Sequence, residues 1–110
     1  MDLVELAGIA AKMVAPGKGL LAADESTGTI KKRFDKIGVT NTEENRRDYR
    51  ELLFRTTATL RDHIGGVILF DETVRQKARD GTPLVKLIEV AGAVPGIKVD
   101  MGAKPLALCP

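Results

Sequence analysis

Lys18-Gly19-Leu20-Leu21-Ala22-Ala23-Asp24-Glu25-Ser26-Thr27-Gly28-Thr29 is the stretch on which the reading of this chain turns. It starts as a short apolar run and stops abruptly in a carboxylate pair, hydroxyl residues and a glycine. A buried parallel strand has this form when it delivers polar groups to one end of a sheet. In α/β folds, ligands sit at the C-terminal ends of parallel strands. The local alternative is a strand followed by a capped turn, with Asp24 or Ser26 as the helix N-cap.

Upstream, Leu3, Leu6, Ala7, Ala10, Met13 and Val14 recur at three- and four-residue intervals. This predicts a short amphipathic helix closed by Ala15-Pro16-Gly17. Gly17-Lys18-Gly19-Leu20-Leu21-Ala22 matches the spacing of a dinucleotide-binding turn. That motif follows a strand and opens a helix, whereas here it precedes the strand, so it is set aside.

Downstream, a helix is expected from Thr29 to Ile37, ended by Gly38. Thr40…Glu43 and Asn41…Glu44 both have capping-box spacing. A long helix to about Thr59 is predicted to follow, with Tyr49, Leu52, Leu53, Thr56 and Leu60 on its apolar stripe. Arg46, Arg47, Arg50 and Glu51 fall mostly off that stripe and read as a solvated face. Ile64-Gly65-Gly66-Val67-Ile68-Leu69-Phe70 is a second apolar strand ending in acids, Asp71 and Glu72. Helices about Glu72–Ala78 and Leu84–Ala91, separated by a break at Asp80-Gly81-Thr82-Pro83, precede a third strand, Ile97–Asp100. Strands alternating with helices imply parallel βαβ units.

The third strand is the most informative for chemistry. Strand alternation puts Ile97 and Val99 on one face, and Lys98 and Asp100 on the other. In a barrel that second face looks toward the axis, which is normally filled with branched apolar side chains. Charges there are costly unless paired or functional. Asp24 reaches the same region from the first strand, and a plain salt bridge between Lys98 and an acid is the structural alternative.

Composition excludes several classes. A net charge of +2 over 110 residues gives no ground for a nucleic-acid partner or an anionic membrane, and 44% hydrophobic with 29% charged residues is ordinary globular composition. No run approaches the roughly 18 apolar residues of a membrane span. Acids stand near the start, where a targeting peptide would carry basic residues, and the lone cysteine, Cys109, fits a reducing compartment, so a cytoplasmic location is expected. Cys109 reads as an ordinary thiol. His63 has no His, Cys or acidic cluster at ligand spacing and reads as an edge histidine, so no metal site is expected.

The string LLAADESTGTIKKR resembles the first barrel strand and following loop of class I, Schiff-base-forming fructose-bisphosphate aldolases. The likeness continues through NTEENRRDYRELLF, GGVILFDETVRQKA and GIKVD in the family's order, from about Met13 to Pro105. The resemblance implies a TIM (β/α)8 barrel, of which this chain supplies an N-terminal helix and about the first three strands. Residues 1–110 would then be an incomplete single domain, the N-terminal portion of the barrel. The implied activity is reversible cleavage of fructose 1,6-bisphosphate to two triose phosphates in glycolysis and gluconeogenesis. It implies a phosphorylated sugar substrate, no cofactor, and a homotetramer for the complete protein.

In this family a lysine on a later strand forms a Schiff base with the ketose carbonyl, and the protonated imine withdraws electrons so that the C3–C4 bond can break. By the resemblance, Asp24 interacts with substrate hydroxyls around that bond and assists proton transfers. Lys98 matches a lysine that helps hold substrate charge. Ser26 and Thr29 match hydroxyl positions near the second phosphate, Thr29 standing where the family often has serine. Lys32 and Arg33 match basic positions there, and Asp100 supports Lys98 electrostatically. Glu25 either caps the turn or faces the site.

The Schiff-base lysine has no counterpart in these 110 residues, and neither Lys98 nor Lys104 substitutes for it. The chain alone is therefore expected to be inactive and to fold poorly, because three strands leave open edges and an unfilled core. The competing reading is a truncated, non-catalytic paralogue that binds phosphate or another polypeptide. A phosphosugar enzyme of different reaction type on the same scaffold is a third reading.

Overall fold

The computed structural model describes residues 2–103 and 105–108; Lys104 and Cys109, and the readings attached to them, lie outside the described residues. Helix α1 (Leu3–Met13) leads into strand β1 (Gly19–Ala23), then α2 (Thr27–Lys36), α3 (Glu43–Phe54) and α4 (Thr57–His63). Strand β2 (Ile64–Leu69), α5 (Asp71–Val74), α6 (Leu84–Val90) and β3 (Val94–Ile97) complete the order. The strands form one parallel sheet in sequence order, β1-β2-β3. Helices fill both crossovers, as parallel neighbours require.

The two faces of the sheet differ in kind. Leu21 pairs with Val67 and Ala23 with Leu69, and these side chains join Phe54, Leu60, Leu84 and Ile88 in one buried core under the helices. The alternate residues Leu20, Ala22, Gly66 and Ile68 lie on the opposite face. Leu20 there is 47% exposed. A sheet with helices on one face and apolar residues on the other is a wall of a (β/α)8 barrel, whose inner face is filled by the remaining strands.

Gly65 is needed for close approach. The β1–β2 register shifts between Gly19 and Leu20, leaving Gly65 as an extra residue. A Cβ there would fall 2.7 Å from the Met13 carbonyl carbon and nearer still to its oxygen. Only glycine lets the end of α1 rest against β2. None of the α1 side chains is fully buried; Ile9 and Met13 are half-buried and its other apolar residues are exposed. At the end of α2, Gly38 takes a left-handed φ of 71° and Val39 N–H returns to the Phe34 carbonyl at 3.0 Å, as its sequence position predicts.

Four expectations need correction. The long helix breaks after Phe54, and α4 starts anew at Thr57, so one continuous stripe does not exist. Leu52, assigned to the apolar stripe, is 73% exposed, while Arg46 and Arg50, assigned to solvent, are buried at 8% and 2% exposure. The buried face of α3 runs Arg46, Arg50, Phe54, spaced by four; the arginines can enter it because both pair with Glu72. The cap of α3 is Thr42, which accepts from Asn45 N–H at 3.1 Å, in place of either predicted capping box. The helix expected about Glu72–Ala78 is only Asp71–Val74, because Ala78 N–H turns to the Thr82 carbonyl at 2.7 Å.

The third strand is displaced from the expected Ile97–Asp100: it runs Val94–Ile97, and Val99, expected on the covered face with Ile97, lies beyond it and is 88% exposed. Val94-Pro95-Gly96 looks like a turn but is paired to β2. Pairing continues one residue beyond Ile97, Lys98 N–H donating to the Leu69 carbonyl at 2.8 Å. Alternation then directs the Pro95 nitrogen away from β2, so its missing N–H costs none of the β2–β3 ladder bonds.

Candidate active site at the strand ends

Asp24, Phe70 and Lys98 follow the last residues of β1, β2 and β3, and all three continue the helix-free face. They line a cavity of about 510 Å³ together with Ala22, Glu25, Ser26, Thr29, Arg33, Asp100, Met101 and Gly102. Two residues that open the β1–α2 connection, Asp24 and Ser26, thus meet two from the segment after β3, Lys98 and Asp100. Lys32 is exposed on α2 and is absent from the lining.

Lys98 Nζ donates to Asp100 Oδ2 at 2.9 Å and, more weakly, to Asp24 Oδ2 at 3.5 Å. The Asp100 hydrogen bond, reinforced by the charges of Asp100 and Asp24, outweighs desolvation and raises the Lys98 pKa. The same bond, with one from Gly102 N–H at 2.8 Å, lowers that of Asp100. The group offered to a ligand here is a fixed ammonium, suited to holding negative charge.

Ser26 caps α2. Its Oγ accepts from Thr29 N–H at 3.4 Å and lies 3.2 Å from Thr29 Oγ1, so both hydroxyls stand together at the helix start. Asp24 makes no such cap, which resolves the two cap candidates in favour of Ser26. Glu25 turns toward Arg33, accepting at 2.7 Å from its Nη1 with a side chain only 10% exposed. Among the described residues, no group of three His, Cys, Asp or Glu side chains is placed to hold a metal ion, and no helix is long and apolar enough to cross a membrane.

Sequence reasoning missed the groups behind this cavity. Glu72 receives Arg46 in a two-bond fork, Nε and Nη2 each at 2.8 Å, and Arg50 Nη1 at 2.7 Å. Arg50 also donates to Gln76 Oε1 at 2.9 Å and to the Glu25 carbonyl at 3.4 Å. The Arg46 hydrogen bond first, then that of Arg50, holds the Glu72 carboxyl at about 2 against the opposing effect of burial. The available signal was the four-residue spacing of Arg46, Arg50 and Phe54 opposite a strand ending in acids.

The family model described as "Glycolytic: Fructose-bisphosphate aldolase class-I" matches residues 5–109. A probable fructose-bisphosphate aldolase class 1 of Xanthomonas campestris pv. campestris is 60% identical over 110 residues, all of this chain and 33% of that protein. A fructose-bisphosphate aldolase of Echinococcus multilocularis is 63% identical over 102 residues, 93% of this chain and 28% of its own. Among solved structures, a fructose-bisphosphate aldolase of Plasmodium falciparum, crystallised with TRAP and a small-molecule inhibitor, superposes with a TM-score of 0.90 at 52% identity. That match covers 97% of this chain and 30% of the other. The chain therefore spans about a third of the length of the curated relatives it matches. Its three strands and their helices are the opening part of a TIM barrel, and the chain belongs to the class I fructose-bisphosphate aldolase family.

Proposed function

We propose that these residues are the N-terminal portion of an enzyme that reversibly cleaves fructose 1,6-bisphosphate to dihydroxyacetone phosphate and glyceraldehyde 3-phosphate. The reaction runs through a lysine Schiff base, in glycolysis and gluconeogenesis, in the cytoplasm, and in a homotetramer. The observation that carries this reading is the meeting of Asp24, Ser26, Thr29, Lys98 and Asp100 around one cavity at the strand ends, in a chain of this family.

Each group suits its part. Lys98, with its raised pKa, is a cation at neutral pH and makes a poor nucleophile toward a carbonyl, which only a free amine attacks. It binds substrate oxygens, steadied by Asp100, while the imine forms on a lysine contributed from outside these residues. Asp24, 3.5 Å from that ammonium, handles hydroxyl protons next to the breaking bond. Ser26 and Thr29, whose hydroxyls stand together at the start of α2, receive a phosphate there, with Arg33 adding positive charge on the cavity wall and Lys32 nearby in sequence.

Residues 1–110 alone lack the imine lysine and leave one face of the sheet bare, so the isolated piece is inactive and poorly folded. The test is borohydride trapping in the presence of fructose 1,6-bisphosphate, on the native polypeptide that carries this sequence and on residues 1–110 alone. The native polypeptide should have roughly three times the 11.8 kDa of this chain, a barrel with extensions, and should gain a covalent adduct. A substrate-dependent adduct on residues 1–110 would overturn the assignment of the imine to another segment. A native mass of 11.8 kDa with no adduct would bring the non-catalytic reading to the front.

A further inference from the structure

One carboxylate lies behind the β1–α2 connection and reaches it by two separate routes. In the first, Glu72 Oε1 holds Arg50 Nη1 at 2.7 Å, and Arg50 Nη2 donates to the Glu25 carbonyl at 3.4 Å. In the second, Glu72 holds Arg46 in a fork, Arg46 Nη1 donates to Asn41 Oδ1 at 2.9 Å, and Asn41 Nδ2 donates to the Thr27 carbonyl at 3.2 Å. The two routes end on the residues either side of Ser26. The first ends on the residue next to Asp24.

From this bracketing of Ser26 by the Glu25 and Thr27 carbonyls, we infer that Glu72, acting through Arg50 and through Arg46 with Asn41, is a positioning residue that sets the Asp24–Ser26 segment for catalysis. The inference rests on the proposed aldolase reaction and adds groups that do not touch substrate. The arrangement is rigid for a physical reason. Arg50 is 2% exposed and Arg46 8%, and buried guanidinium–carboxylate forks fix angle as well as distance. Gln76 Oε1 takes a further Arg50 hydrogen at 2.9 Å. Glu72 follows Phe70, which lines the cavity, by two residues, so the end of β2 contributes to the site from the front and from behind. A bond from Arg33 Nη1 to the Glu25 carboxylate closes the segment from the solvent side at 2.7 Å. A displacement of about 1 Å in a catalytic group is worth around 100-fold in rate, so a device that fixes this backbone has a measurable job.

The test uses the complete native polypeptide with three changes, made singly: Glu72→Gln, Arg50→Lys and Asn41→Ala. Glu72→Gln leaves two guanidiniums short of charge and is the variant most prone to misfolding. Arg50→Lys keeps a cation beside Glu72 but cannot bond Glu72, Gln76 and the Glu25 carbonyl together as the guanidinium does, and Asn41→Ala removes one link without touching a buried charge. Cleavage of fructose 1,6-bisphosphate and borohydride-trapped adduct are measured together, with thermal melting as the check on folding. The expected result is a kcat lowered about tenfold in Arg50→Lys and severalfold in Asn41→Ala, with the trapped fraction at saturating substrate changed less than twofold. Imine formation is thereby separated from the steps that use Asp24. Folded Arg50→Lys and Asn41→Ala proteins with unchanged kcat would overturn the inference, as would equal losses in kcat and adduct, which mark a merely structural role. Failure of the unmodified polypeptide to cleave the substrate would overturn the aldolase reading, and this inference with it.

Discussion

Lys98 Nζ reaches Asp24 Oδ2 at 3.5 Å across 74 residues of sequence, and so links the C-terminal end of β3 to that of β1 with β2 between them. The same ammonium lies 2.8 Å from Asp100 Oδ1. The cation is held by a near neighbour and shared with the distant one, which leaves Asp24 the freer of the two acids to meet a ligand. Replacing Lys98 by Met in the complete enzyme is expected to lower kcat/KM by about 10- to 100-fold, the equivalent of one hydrogen bond to a charged group at about 1.5–3 kcal/mol. Asp100→Asn should cost less, since Asp24 remains. Steady-state kinetics of the two variants check the order.

Asp24→Asn removes the ionisable group and keeps its shape. Turnover is expected to fall by at least about 100-fold, within the range of general acid–base catalysis, with the melting temperature nearly unchanged. Unchanged turnover would remove Asp24 from the mechanism.

Ser26 serves the fold and the site at once, and two substitutions separate the roles. Ser26→Ala deletes the cap on Thr29 N–H and is expected to cost about 1 kcal/mol of stability as well as raising KM. Ser26→Asp keeps a capping oxygen and adds favourable charge at the helix start, so stability holds. A phosphate approaching the same place meets a second anion, and KM should rise further than in Ser26→Ala. Melting curves and KM measured side by side decide the matter.

The depressed pKa of Glu72 makes an acid-stability prediction. Its folded value is about 2 against an ordinary 4.5, so folding favours the charged form. The resulting stabilisation, on the order of 3 kcal/mol, is complete above pH 4.5 and is lost as the pH falls toward 2. Denaturant unfolding of the complete polypeptide between pH 6 and pH 2 should show this loss. Glu72→Gln should start less stable and flatten the slope in that window.

Gly65 and Gly19 offer a paired test of close packing. Gly65→Ala drives a methyl into the Met13 carbonyl and is expected to cost about 1–3 kcal/mol, as overpacking does. Gly19→Ala meets nothing within 4 Å and should leave the melting temperature close to that of the parent. Equal effects at the two positions would mean that the α1–β2 approach is not what requires glycine.

The sheet was legible in the sequence because its first two strands are apolar runs ending in acids, and because Gly38 marks a helix end by its backbone alone. Lys98 and Asp24 were legible together because each continues the alternation of its strand by one residue, whereas Asp100, expected on the same strand face, lies beyond β3 and joins them through its bond to Lys98. The buried arginines were not. Their burial depends on Glu72, an acid 22 residues beyond Arg50, and helical periodicity reports only what each helix carries. The break at Phe54 was hidden for a related reason: Arg55, Thr56 and Thr57 have no proline or glycine among them, and Thr56 Oγ1 ends the helix locally by bonding the Leu53 carbonyl at 2.6 Å. Pro95 misled in the opposite direction, since its nitrogen faces away from β2 and leaves the β2–β3 ladder intact, a fact of pairing invisible to composition.

The helix-free face of the sheet has a consequence during synthesis. In a complete chain of the length of the Xanthomonas campestris relative, of which these residues span 33%, roughly 220 further residues would take on the order of 10–40 s to make at about 5–20 residues per second. Throughout that interval the nascent chain would present Leu20, 47% exposed on the helix-free face, and Ile97, 50% exposed on the helix-covered side, beside the free edge of β3. The ribosome-bound intermediate is then the form most open to holdase capture and to strand-edge pairing with another nascent copy.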